Sequence, residues 1–269
     1  MCWAGNRDRY ITHEDRQRSE SYRIDDPLTG GIDPALFTFL SMPLHSSDGV
    51  FERFAGLEGA ICRADKAAAK ERFIYVPGTR PDRALLVAHA DTVFDEEYGN
   101  LPQYHTLHRC GDMIHGSGSP IGADDRAGCA MLWHMRASGH SLLITDGEEA
   151  GGIGSRWLMQ ENEDIAREIN AHSFMVQLDR KNGADFKTYD VGTQAFKDYI
   201  AAETGFTDAG SDCFTDICLL SRELCGVNLS VGYYAPHTDC EYLNYREWIH
   251  SLRVVRSLLD KPLARFTRY

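Results

Sequence analysis

Five stretches of the 269-residue sequence place imidazole and carboxylate groups at the end of an apolar run or at the opening of a helix. ALLVAHAD carries His89 and Asp91, two apart, so that on a strand both project to the same face. One can ligate a metal while the other accepts a hydrogen bond from its second ring nitrogen, or the pair can be a surface hydrogen bond. IGADDRAG follows, with Asp124 and Asp125 at a helix start. There, Asp is a favoured N-cap, and two adjacent Asp exceed what capping needs, which leaves a metal ligand as the other reading. In LLITDGEEAGGIGS an apolar strand runs into Asp146, Glu148 and Glu149. Neighbouring carboxylates repel unless a cation is present or one holds a proton, so a metal and a base with a raised pKa would resolve the crowding. SFMVQLDR ends on Asp179, and VNLSVGYYAPHTDCE brings His237 in just after a proline that fixes its loop. Each group taken alone is ambiguous; the recurrence at successive strand ends makes a metal-assisted reaction the leading chemistry.

The elements that must position these groups read as an α/β chain with a mostly parallel central sheet. Strands are expected at FIYV, ALLVAHAD, DMIHGS, SLLITDGEE, SFMVQLDR and VNLSVGYY. Helices are expected at DDRAGCAMLWHMRAS, at RWLMQENEDIAREI, at FTDICLLSRELC and from about Glu241 to Leu259. Ahead of them, ALFTFLSM and GVFERFAGLEGAICRADKAAAKE carry helical spacing and are expected to cover one side of the sheet. Residues 1–30 are polar and irregular. In open sheets of this class, ligands gather outside the carboxyl ends of the strands, where the five stretches fall. HGSGSPIG fits neither a dinucleotide fingerprint nor a phosphate loop. His105, His108 and His115 are read as solvated loop residues, and His134 as a partly buried packing residue.

Composition narrows the alternatives. Charged residues make up 25% and hydrophobic ones 43%, the balance of a globular domain. The net charge of −12 argues against nucleic acid or an anionic membrane as partner. No apolar run suits a membrane span or a signal peptide, so a cytoplasmic location is expected. The eight cysteines are dispersed and include no C-x-x-C pair, so free thiols are expected.

Taken in order, HAD, GADD, GEE, LD and PHTDCE resemble the co-catalytic zinc exopeptidases: aminopeptidases, tripeptidases, carboxypeptidases and related deacylases. The resemblance covers about residues 73–245, and GADDRAG and EEAGGIGS are its most specific parts. It implies a single domain with a twisted, mostly parallel sheet and helices on both faces, spanning residues 31–269. It also implies two Zn2+ ions, with Co2+ or Mn2+ as substitutes. His89 and Asp179 would hold one ion, Glu149 and His237 the other, and Asp124 would bridge them. Asp91 would orient His89, and Glu148 would be the general base toward a metal-bridging water. Larger relatives insert a lid domain before the final histidine, but only 57 residues separate Asp179 from His237, so no lid is expected. Tyr233 or Tyr234 would then either replace the lid's transition-state donor or be core aromatics. The activity implied is release of N-terminal residues from peptides. An N-acyl amino acid deacylase or a carboxypeptidase would use the same site, and a catalytically silent binding domain is the reading from another class.

Overall fold

The computed structural model describes residues 31–94, 105–210 and 212–269; the irregular segment expected over residues 1–30 lies outside them. The described strands are β1 Ile61–Ala64, β2 Arg72–Val76, β3 Leu85–His89, β4 Leu107–Cys110, β5 Met113–Gly116, β6 Ser141–Thr145, β7 Met175–Arg180, β8 Asp185–Lys187, β9 Thr207–Asp208, β10 Gly226–Ser230, β11 Tyr233–Tyr234 and β12 Tyr242–Asn244. The described helices are α1 Pro34–Leu40, α2 Asp48–Ala55, α3 Ala123–Met135, α4 Ile153–Glu161, α5 Glu163–Ile169, α6 Gln194–Thr204, α7 Asp216–Leu220 and α8 Tyr245–Leu259.

Eight strands form the main sheet in the order β1-β2-β6-β3-β7-β10-β8-β9. Its four central members, β6, β3, β7 and β10, run parallel. They are buried along their whole length, or all but the last residue in β7, as expected of strands covered on both faces. Alternation along β3 divides the core. Leu86 and Ala88 join the layer under α1, α2, α3, α6 and α8, whereas Leu85 and Val87 join the layer under α4, α5 and α7. The N-terminal helices therefore cover one face, as the sequence suggests. Because His89 pairs with Thr145 in the parallel register, the carboxyl ends of β3 and β6 finish side by side. No described helix is long and apolar enough to cross a membrane.

Several segments depart from the sequence reading, among them FTDICLLSRELC, where helix covers only Asp216–Leu220. The helix expected over residues 49–71 stops at Ala55, because Gly56 caps it and Gly59 turns with φ +76°; the rest forms edge strand β1 and a turn. RWLMQENEDIAREI breaks into α4 and α5 at Asn162, whose φ of −127° and ψ of 61° leave the helical region. VNLSVGYY is not one strand. Gly232, at φ +93°, lets the chain leave the main sheet after Ser230 and enter a second, antiparallel sheet of order β11-β12-β5-β4. The last helix starts at Tyr245 rather than near Glu241, since Tyr242–Asn244 are claimed by that second sheet. His108 and His115 are strand residues paired across β4 and β5, not loop histidines, and His105 Nε2 donates to the carbonyl of Leu40. His134 packs beside Trp248 and contacts Asp33. No disulfide joins any two of the seven described cysteines.

Among the described glycines the least room for a side chain is at Gly128 of α3, where an added Cβ would lie 1.9 Å from the Leu178 carbonyl of β7 and 2.3 Å from Asp125 Oδ1. Alanine normally stabilises a helix interior by about 1 kcal/mol over glycine. Here overpacking against backbone costs roughly 1–3 kcal/mol or more and should win. Gly128→Ala is therefore expected to destabilise the protein in denaturant unfolding, and a stability equal to or above that of the parent would show that α3 and β7 are not in this contact.

Candidate metal centre

Four chain segments converge at the carboxyl edge of the central strands. β3 delivers His89 as its last residue, the turn after β6 delivers Glu148 and Glu149, β7 delivers Asp179, and α3 opens on Asp124. A fifth segment, the loop joining β11 to β12, brings in His237, so the small sheet supplies a candidate ligand to the edge of the large one. Its backbone, like that of Ala235, lies in the left-handed region, with φ +61° and +50°.

The central observation is how Asp124 divides its two oxygens. Oδ1 lies 3.2 Å from His89 Nε2, and Oδ2 lies 3.2 Å from His237 Nε2. On the first side His89 Nε2 also stands 3.4 Å from Asp179 Oδ1, and on the second His237 Nε2 stands 3.0 Å from Glu149 Oε1. Two ligands each at about 2.0–2.1 Å from a tetrahedral ion stand roughly 3.3 Å apart, so these spacings fit donors aimed at a shared ion. Glu149 Oε1 is buried and has no hydrogen-bond partner despite its proximity to His237, the arrangement of two donors pointing at a common centre rather than at each other. The donor set, imidazole nitrogen with carboxylate oxygen, suits a divalent ion of the zinc type. His89, Asp124 and Glu149 together form one group whose ligand atoms are close enough to hold such an ion.

Electrostatics point the same way. Burial opposes charge on His89, yet Asp179, Asp124 and Asp91 hold its pKa well above the usual histidine value. The neighbouring carboxylates of Asp124 and Glu149 raise His237 to about 10. Burial pushes Asp179 up to about 7, with the charge of Asp124 adding to it. A field that draws protons this strongly onto two imidazoles also draws a divalent cation. Glu148 is raised well above the ordinary carboxyl range, first by burial and then by the charges of Asp179, Asp216 and Asp124.

Around these groups lies a second tier of hydrogen bonds, only part of which the sequence reading anticipates. Asp91, fully buried, places Oδ1 3.3 Å from His89 Nδ1. Its carboxylate also accepts the backbone N–H groups of Glu148 and Glu149 at 3.1 and 3.2 Å, and its main-chain carbonyl accepts from His89 Nδ1 at 3.1 Å, so one residue sets both the imidazole and the turn after β6. Asp179 Oδ2 accepts from Gln177 Nε2 at 3.0 Å and from the Thr215 hydroxyl at 2.9 Å, which leaves Oδ1 facing His89. Gln177 was legible as the residue two before Asp179 on the same strand face; Thr215 was not. Asp125 lies close to the cluster but is anchored elsewhere: its oxygens accept from the backbone N–H groups of His89 and Gly128. Asp146 is turned away to Arg72 and the Ser47 hydroxyl. Arg72 also reaches Asp48 of α2, so the N-terminal helices brace the turn that carries Glu148 and Glu149. Tyr234 donates to Glu247 at 2.7 Å, and the buried Tyr233 hydroxyl lies 3.3 Å from Asp179 Oδ1.

No protein-family model matches the chain, and no curated protein matches it. Solved structures do. Aminopeptidase PepT from Bacillus cereus superposes with a TM-score of 0.58 at 13% identity, over 84% of this chain and 96% of that one. A tripeptidase from Staphylococcus aureus gives 0.59 at 14%, over 84% and 96%. An aminopeptidase from the archaeon Desulfurococcus kamchatkensis gives 0.58 at 11%, over 87% and 94%. The chain has the fold of these aminopeptidases and tripeptidases. At such identities the likeness is one of architecture, and the peptidase-like fold carries the cluster at the edge where its parallel strands end.

Proposed function

We propose that this chain is a metal-dependent exopeptidase of the aminopeptidase type, with a two-ion centre held by His89, Asp179, Asp124, Glu149 and His237. The observation that carries the reading is the division of Asp124 between two histidines, each with a further carboxylate, which provides for two adjacent ions and not one. Zinc is the ion the donors favour, and Co2+ or Mn2+ would be accepted by the same set. Two such ions, when bound, polarise a scissile carbonyl and lower the pKa of a water between them. Three carboxylates against two divalent ions leave the site net positive, which suits a developing oxyanion.

The chain's own residues do the rest. Glu148 takes a proton from the attacking water and returns it to the leaving amine, work for which a carboxyl held above its ordinary pKa is suited. Asp91 keeps His89 oriented and fixes the backbone from which Glu148 extends. The aminopeptidase type is taken from the likeness to aminopeptidases and tripeptidases; Arg126 and Arg180, chain neighbours of Asp125 and Asp179, are turned to the carbonyls of Pro43 and Ser46 and to Asp185.

Metal quantification on the purified protein, coupled to a hydrolysis panel, tests this. About two divalent ions per chain are expected, with cleavage of aminoacyl amides that stops on chelation and returns with Zn2+. Cleavage of N-blocked substrates alone would move the assignment to a deacylase or carboxypeptidase. A metal-replete protein inactive on every peptide and acyl substrate would make it a binding domain.

A further inference from the structure

Two of the three ligands proposed for the second half-site, Asp124 and His237, come from segments more than a hundred residues apart, and one buried side chain joins them. Glu241 is 0% exposed. Its Oε2 accepts the backbone N–H groups of Ile121 at 2.9 Å and Gly122 at 2.6 Å, and its Oε1 accepts that of Asp124 at 3.1 Å. These amides belong to the start of α3, where the N-cap residue Gly122 offers no side chain and the first-turn N–H groups would otherwise go unpaired. A carboxylate is the favoured partner at that end of a helix. It arrives here from the other side of the metal centre.

Glu241 follows His237 by four residues, and the intervening turn is closed on itself. Thr238 donates to the Ala235 carbonyl at 2.8 Å, and its own hydroxyl and carbonyl accept from the backbone N–H groups of Cys240 at 3.2 Å and Glu241 at 3.1 Å. His237 itself is 48% exposed, so burial does not hold it. At the other end of the connection, Asp124 has non-helical φ −84° and ψ 101°, and its backbone N–H is one of the three that Glu241 accepts.

We infer that Glu241 is a positioning residue that locks the His237 loop to the backbone of Asp124 and so sets the spacing of the half-site they share. It touches neither ion nor substrate; it acts through the two ligands. The inference rests on the reading of Asp124 and His237 as metal ligands.

Glu241→Gln keeps the volume but turns amide hydrogens toward donors. Metal affinity measured against a chromophoric chelator is expected to fall roughly 10–100-fold, the range for losing an outer partner of a ligand. The visible absorption of the Co2+-loaded protein should change with it. A merely structural cap would instead lower the melting temperature of the metal-free protein and leave affinity within twofold of the parent; that result overturns the inference. Should the variant fail to fold, amide exchange in the unsubstituted protein still decides. The amides of Ile121, Gly122 and Asp124 are expected to be protected with and without metal, and exchange at open-loop rates in the metal-free protein would refute the lock. An unsubstituted protein that binds no metal would sink the ligand reading, and this inference with it.

Discussion

Glu148→Gln is expected to leave metal content and folding intact while reducing kcat by roughly 10²–10⁴-fold, the usual contribution of a positioned general base. At 1.36 kcal/mol per factor of ten, that is about 3–5 kcal/mol of transition-state stabilisation. The separation of effects follows from how the turn is built. Its backbone is fixed by Asp91, which accepts the N–H groups of residues 148 and 149, and neither bond involves the Glu148 side chain. Glu149, the neighbour assigned to an ion, keeps its place beside His237 through the same backbone. The substitution is isosteric, so what it removes is the ability to accept a proton. Single-turnover rates and metal content measured on one preparation check this. Unchanged turnover would refute the base assignment, and lost metal would show that Glu148 is a ligand instead.

How much of this was legible beforehand differs between strands and loops. The parallel strands announce themselves because strands buried on both faces must be largely apolar, and the runs LLVA, LLI and MV within LLVAH, SLLIT and MVQLD are. Ligands at their ends are then legible because a polar group abruptly ending such a run needs a reason. The second sheet was not legible. β4, β11 and β12 are only two to four residues long, and their pairing depends on long-range register that periodicity over so few residues does not specify. The reach of the N-terminal helices into the site was equally hidden, since the contact of Ser47, the N-cap of α2, with Asp146 spans 99 residues. Glu241 shows the limit most sharply. It stood inside PHTDCE, yet nothing local distinguishes a solvated glutamate from one that caps a helix 117 residues away. By contrast α6 could have been found: Thr193 accepts from the N–H of Phe196, and Gly205, at φ +71°, ends the helix, the usual start and stop signals.

Asp124→Ala should have the largest effect on metal binding, and comparison with His237→Ala makes it diagnostic. Oδ1 and Oδ2 of Asp124 stand equally far, 3.2 Å, from the imidazoles of His89 and His237. Removing this carboxylate strips a ligand from both half-sites at once and also removes the charge that keeps two cations close together. Removing His237 strips one half-site and leaves His89, Asp179 and Asp124 for the other. Titration should therefore show His237→Ala retaining about one tightly bound ion per chain and Asp124→Ala retaining none. Hydrolysis should be lost in Asp124→Ala at any metal concentration, and added metal should restore part of it in His237→Ala. Folding should survive in both, because Asp124 contributes no apolar surface to the core and its backbone N–H remains bonded to Glu241. Equal stoichiometry in the two variants would contradict a bridge at Asp124. Loss of one ion in each would place Asp124 in a single half-site, with two independent sites in place of a shared one.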